Sequence, residues 1–230
     1  LGAFGKRSNL DKKLDREFIS HPSPWLAVKN HYLADFPADT VGLHNFDGGY
    51  CGLSKTESGA VNVCYLASFE SFKRFKNVVD FQNEVLCKNR HLDAFFASAQ
   101  PVFETPLTIS QISFEDKPLI GNHILMLGDA AGLIHPLCGN GMAMAMHSAK
   151  IASESIIAQS DNFNRNLLEK QYARAWYAHF NTRMRSGRML SKALLHPKLS
   201  RMLLGTVKTF PSLLPKIVSM THGKPINTAA

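Results

Sequence analysis

The residues best equipped for chemistry lie in one stretch, ILMLGDAAGLIHPLCGNGMAMAMHSAK, residues 124–150. Asp129 follows Gly128 at the end of an apolar run. Its carboxylate can only accept hydrogen bonds, which suits a hydroxyl-bearing ligand as well as it suits a self-tied turn. Ala130 and Ala131 keep the corner small. Pro136 stiffens the loop that follows, and Gly139 and Gly141 remove side chains where a flat ring or a phosphate could approach the backbone. Asn140, Gly141 and Met142 open a helix whose first N–H groups and positive dipole end face whatever lies before them, so an anion or a ring that becomes anionic is favoured there. His135 is the titratable side chain of this loop that could donate a proton to a reacting substrate, although the sequence favours a loop histidine packed on neighbouring backbone over that role. Cys138 reads as a small loop filler.

These residues need a strand, a corner, a loop and a helix to hold them. Asn122–Leu127 reads as a strand buried on both faces, and the helix runs from Asn140 to about Gln159. Ala143, Ala145 and Ala149 let it pack closely on a sheet or a cofactor. A two-electron-reduced flavin gains negative charge at its pyrimidine end, so a helix tip of this kind would stabilise it. Upstream, Pro24–Asp35, Val41–Phe46, Gly49–Lys55 and Ala60–Ser68 read as strands, the last two paired through a turn at Thr56–Gly59. Phe69–Ala99 switches to helical spacing, with Phe72, Phe75, Val79, Leu92, Phe95 and Phe96 apolar, as core or as pocket lining. Pro106–Ser113 is another short strand. Leu168, Tyr172, Trp176, Phe180 and Met184 recur every fourth residue and mark the buried stripe of a second long helix. Beyond His196 two short amphipathic pieces are expected, broken at Pro211 and Pro215.

Gly128-Asp-Ala-Ala-Gly132, Pro136, Gly139-x-Gly141-Met142 and Ala145-Met146 resemble the second flavin-binding motif of FAD-dependent oxidoreductases related to geranylgeranyl reductases and aromatic-ring hydroxylases. Gly2-Ala-Phe-Gly-Lys-Arg-Ser8 resembles the Gly-Ala-Asp-Gly-x-x-Ser segment of the same group, with Phe4 in place of its Asp. The resemblance implies a mixed α/β (α+β) fold: a partial FAD-binding domain of the glutathione-reductase-like type, an inserted antiparallel substrate-domain sheet and a helical C-terminus. The implied boundaries are 1–20 and 116–160 for the flavin-binding parts, 21–115 for the substrate domain and 161–230 for the C-terminal helices. The Gly-x-Gly-x-x-Gly unit for the ADP half of FAD is not in this sequence, and an upstream segment is expected to carry it. The resemblance further implies that Asp129 meets the ribityl chain, that Gly128, Ala130, Pro136, Gly139, Asn140, Gly141, Met142 and Arg7 contact the cofactor, and that the 24–68 sheet roofs the flavin. The implied reaction is NAD(P)H-driven reduction of FAD followed by C=C reduction or O2-dependent hydroxylation of an apolar or aromatic small molecule.

Composition bounds the alternatives. The chain has 230 residues, 45% of them hydrophobic, enough for a sizeable core. Its four cysteines, Cys51, Cys64, Cys87 and Cys138, lack the paired spacings of a zinc site or a disulfide scaffold. Free thiols in a reducing, cytoplasmic setting and no metal are therefore expected. The net charge of +8 is uneven: from Arg165 onward twelve Lys or Arg face one acid, Glu169. No nucleic-acid-binding signature accompanies that charge, so no nucleic-acid partner is expected. A non-catalytic module whose basic helices touch a membrane surface or an acidic partner is the competing reading.

Overall fold

The computed structural model describes residues 1–222. They divide into two units, one formed by Leu1–His21 together with the chain from Ser113 onward, the other by Pro22–Ile112. In the first unit Ser8 opens helix α1 (Asn9–Lys13) with a capping box: its hydroxyl accepts from Leu10 N–H, and Asp11 Oδ2 accepts from Ser8 N–H at 2.7 Å.

The second unit is an antiparallel sheet of β1 (Trp25–Leu33), β2 (Val41–Phe46), β3 (Gly49–Lys55), β4 (Val61–Ser68), β5 (Gln100–Pro101) and β6 (Leu107–Ile109). The order is β2-β3-β4-β1-β5, with β6 also on β1. Alternation sets which face is buried: Leu26, Val28, Asn30 and Tyr32 point inward from β1, and Val61, Val63, Tyr65 and Ala67 from β4. The expected pairing of β3 with β4 is present, with Gly52 opposite Cys64. The β2–β3 hairpin turns on Asp47-Gly48, Gly48 supplying the positive φ of 81° that such tight turns require.

Three short helices, α2 (Phe69–Phe72), α3 (Val78–Glu84) and α4 (Arg90–Ser98), replace the single helical run read over Phe69–Ala99. Asn77 caps α3, its side chain accepting from Asp80 N–H at 2.9 Å, and this new start shifts the inward face. Val79 is consequently 62% exposed, while Phe81 is fully buried. Phe81 is the hub of an aromatic cluster with Phe46, Tyr65, Phe72 and Phe75, at centroid separations of 5.2–6.2 Å. Phe72, Phe75, Phe81, Phe95 and Phe96 are thus core, while Phe69 is exposed.

In the first unit, β7 (Ile120–Gly121) and β8 (Ile124–Leu125) form a hairpin. Asn122 and His123 both have positive φ, 49° and 64°, the signature of a two-residue hairpin turn. The expected strand from Asn122 therefore starts only at Ile124. Beyond it the chain runs parallel to the N-terminus: Gly2 N–H donates to Leu125 O at 2.8 Å and Leu127 N–H to Gly2 O at 2.9 Å. Helix α5 (Gly141–Ile157) buries Met144, Ser148, Ile151 and Ala152. Helix α6 (Arg165–Leu195) is capped by Asn164 and buries all five residues of the expected stripe. Tyr172 of that stripe donates its hydroxyl to Met126 O, fastening α6 to the 124–127 segment.

Helices α7 (Pro197–Thr209) and α8 (Leu213–His222) follow. Pro211 separates them, but Pro215 does not break the chain; it sits in the first turn of α8, where its missing N–H has no helical partner to lose. Of the C-terminal region expected over 161–230, residues 223–230 lie outside the described residues. Among the described residues no helix is long and apolar enough to cross a membrane.

Candidate flavin site

Leu127 ends the extended segment, and Gly128 turns the chain at φ 55° into a short 3-10 turn, Gly128–Ala130. Two contacts explain why glycine stands there. A Cβ on Gly128 would come within 3.2 Å of the Ala145 Cβ. Its N–H donates to Ser148 Oγ at 2.8 Å, and that hydroxyl in turn donates to Ala145 O. The turn is thus pinned on the second turn of α5, which needs alanine and serine where it meets the backbone.

A second short turn, Pro136–Cys138, ends in Gly139 at φ 62° and leads through Asn140 into α5. Asn140 occupies the N-cap position without capping its helix. Its amide instead donates to the carbonyls of Thr221 and His222 at 3.3 and 3.1 Å. The tip of α5 therefore keeps its positive end uncapped by a side chain.

Between these turns lies a cleft of about 540 Å³, within the size range of small-molecule sites. Gly128, Asp129, Pro136, Gly139, Asn140, Gly141 and Met142 line it, joined by Ala3, Gly5, Leu133, Ile134 and Ala149. The glycines divide into two kinds. A Cβ on Gly2, Gly132 or Gly187 would press on the protein's own side chains, whereas a Cβ on Gly5, Gly139 or Gly141 would meet nothing within 4 Å. The second kind is bare backbone facing open space, the form that a flat ligand ring requires.

Asp129 is half-buried, and among the described residues its carboxylate has no hydrogen-bond partner. Burial raises its pKa, opposed by the ammonium groups of Lys117 and Lys6. Its backbone is held from behind: Lys117 Nζ donates to Asp129 O at 2.9 Å and to Lys6 O at 2.8 Å. Arg16 donates to Ala130 O at 2.9 Å and to Pro118 O at 2.8 Å, and its other nitrogen pairs with Asp11 Oδ1 at 2.7 Å. Arg16 and Lys117 are 4% and 5% exposed, with Phe18 stacked against both cations. Burial, with Arg16 nearby, pulls Lys117 down to about 8.

Three of the residues read from the sequence stand outside the cleft lining. Ala130 is fully buried and contributes its carbonyl to Arg16. Arg7 donates to Ile19 O at 3.4 Å. His135, read as a proton donor, is 3% exposed: its Nδ1 accepts from Leu137 N–H, its Nε2 is 2.8 Å from Ser191 Oγ, and its ring lies 4.6 Å from that of Phe114. Burial lowers its pKa to about 4, so the ring is neutral at physiological pH. The buried Cys138 fills space against Gly187, and burial pushes its thiol up to about 11. Sequence reasoning missed Asp11, Arg16, Lys117 and Ser148. Apart from the Asp11–Arg16 pair, their partners are backbone groups, and the capping pattern Ser8-x-x-Asp11 was the one local sign.

These residues fit the isoalloxazine and ribityl parts of FAD: open glycine backbone at a helix tip, with a free acceptor-only carboxylate beside it. Comparisons with known proteins bear on the fold. Residues 110–196 match the family model described as squalene epoxidase. The flavin-dependent halogenase CmlS is similar in structure at TM-score 0.67 and 18% identity, over 80% of this chain and 34% of that one. The flavin-dependent brominase Bmp2 matches at TM-score 0.71 and 16% identity, over 96% of this chain and 56% of that one. A geranylgeranyl bacteriochlorophyll reductase-like protein from Thermoplasma acidophilum matches at 0.65 and 17%, over 95% and 60%. The chain thus spans between about a third and three-fifths of these solved chains. The resemblance read from the motifs is borne out at the level of fold: this chain has the architecture of the FAD-dependent oxidoreductases that include halogenases, geranylgeranyl reductase-like proteins and monooxygenases.

Proposed function

We propose that this chain belongs to a flavin-dependent oxidoreductase acting on an apolar or aromatic small molecule. The observation that carries the reading is the pairing of bare glycine backbone at the uncapped tip of α5 with the unpartnered carboxylate of Asp129 in one cleft. FAD, once bound, would supply the redox chemistry, taking a hydride from NAD(P)H and passing reducing power to a C=C bond or to O2. The chain's own residues bind and orient. Asp129 would hold the ribityl hydroxyls, the N–H groups of Gly141 and Met142 would serve the pyrimidine end, and Pro136 would limit the space on the substrate side. His135 holds the Pro136 loop through Leu137 and Ser191, and burial keeps its ring neutral at physiological pH. Cys51, Cys64, Cys87 and Cys138 are free thiols, consistent with a reducing compartment such as the cytoplasm.

Purifying the product of the complete reading frame and recording its visible spectrum tests this. A yellow protein with flavin absorbance is expected, and a colourless protein unchanged by added FAD defeats the reading. Oxygen dependence then separates the two chemistries: a saturated product under anaerobic conditions marks a reductase, an oxygenated product a monooxygenase.

A second reading concerns the C-terminal helices and rests on its own observation. Leu199, Met202 and Leu204 of α7 and Leu214, Val218 and Met220 of α8 are exposed alongside Lys198, Arg201, Lys208 and Lys216. Apolar and basic side chains together suit the surface of an anionic membrane. Co-sedimentation with phosphatidylserine vesicles, weakened by salt and absent with phosphatidylcholine alone, is the expected result.

A further inference from the structure

We propose that Lys117 is a positioning residue of the cleft: its ammonium ties the carbonyl of Lys6, adjacent to Gly5, to the carbonyl of Asp129, and so sets the spacing across which a flavin's polyol chain has to fit. The inference rests on the flavin reading above. Its basis is geometric. Gly5 and Asp129 both line the cleft, yet they stand far apart along the chain, and Lys117 donates to the backbone of both sides. The same ammonium lies 4.3 Å from the centre of the Phe18 ring, so two carbonyls and an aromatic face satisfy it. Arg16 fixes the peptide that follows by donating to Pro118 O.

A merely space-filling role would be met by an apolar side chain. Burying an ammonium is costly, and its carbonyl bonds and the neighbouring carboxylate are what it gains in return. Lys117 also acts on Asp129 through charge, opposing the rise that burial imposes on that carboxyl. The charged groups facing Lys117 are Arg16 and Lys6, which disfavour its ammonium, and Asp11 and Asp129, which favour it. With burial these bring its titration to about 8. If the bound flavin requires the ammonium, affinity is constant below that pH and falls above it, by up to about tenfold per pH unit.

The test uses the full-length protein and measures FAD affinity by flavin fluorescence from pH 6.5 to 9.5, for wild type, Lys117→Met and Lys117→Arg. Wild type is expected to lose affinity about tenfold between pH 7 and pH 9. Lys117→Met should bind at least about tenfold more weakly at pH 7, with a flat profile, and Lys117→Arg should recover most of the affinity and stay flat, because a guanidinium does not titrate in this range. A flat wild-type profile, or Lys117→Met binding within twofold of wild type, overturns the proposal while leaving the flavin reading intact. A purely structural lysine would lower the melting temperature of Lys117→Met but leave the pH dependence in place, and that result also overturns it. Should Lys117→Met fail to fold, the wild-type and Lys117→Arg profiles decide. A wild type that binds no FAD at any pH removes the flavin reading, and this inference with it.

Discussion

Asn140 donates its side-chain amide to His222 O at 3.1 Å, so the residue that begins α5 closes the end of α8 instead of its own helix. The carbonyls at the end of α8 gain a donor, and the tip of α5 is left for something else to satisfy. Asn140→Ala should leave α5 in place, loosen α8 and cost about 1 kcal/mol of stability. Hydrogen exchange checks this: faster exchange is expected within Leu213–His222, with little change along α6.

Asp129→Ala should weaken flavin retention more than His135→Ala. Asp129 offers an unpartnered acceptor to the cleft, whereas His135 is buried on Ser191 and outside the lining. A loss of about tenfold in affinity is expected for Asp129→Ala, the size of one charge-assisted hydrogen bond. The ratio of flavin to protein absorbance after gel filtration gives the ranking, and the reverse order would show the roles to be misassigned.

Gly141 separates binding from folding. A Cβ there meets nothing, and its φ is not in the left-handed region, so Gly141→Ala should keep or slightly raise the stability of the ligand-free protein. FAD binding should nevertheless weaken, because the methyl occupies the cleft. Gly139→Ala differs: at φ 62° it should also destabilise the ligand-free protein, by about 1 kcal/mol. Thermal melts with and without FAD distinguish the two.

His135 predicts acid sensitivity. Its pKa is lowered from the ordinary 6.5 to about 4, so between those values the unfolded chain binds more protons than the folded one. The stability due to its neutral burial is complete above pH 6.5, declines as the pH falls, and is gone below about 4. The range corresponds to at most about 3 kcal/mol. His135→Phe should flatten the dependence of melting temperature on pH over that window.

The glycine-rich loop before α5 and the stripe on α6 were legible because both are local: a glycine spacing, and a period of about four residues that survives along one helix. The hairpin at Thr56–Gly59 was legible for the same reason. Val79 misled because helical spacing was extended across Asn77, which ends one register and starts another. The N-terminal end of the 122–127 strand misled because Asn122 and His123 turn the chain instead. Pro215 misled because a proline in a first turn looks, in sequence, like a break. Arg16 and Lys117 were hidden for a different reason: both hold the 128–130 turn through its carbonyls, and a carbonyl carries no letter in the sequence.

The bond from Arg16 to Ala130 spans 114 residues. On a ribosome adding roughly 5–20 residues per second, the arginine is made several seconds before its acceptor exists. Asp11, its other partner in the folded chain, is only five positions away and is made first. The enclosure of this cation is thus finished only when the turn that receives it has been translated, so the Arg16 site belongs to the late, long-range part of folding.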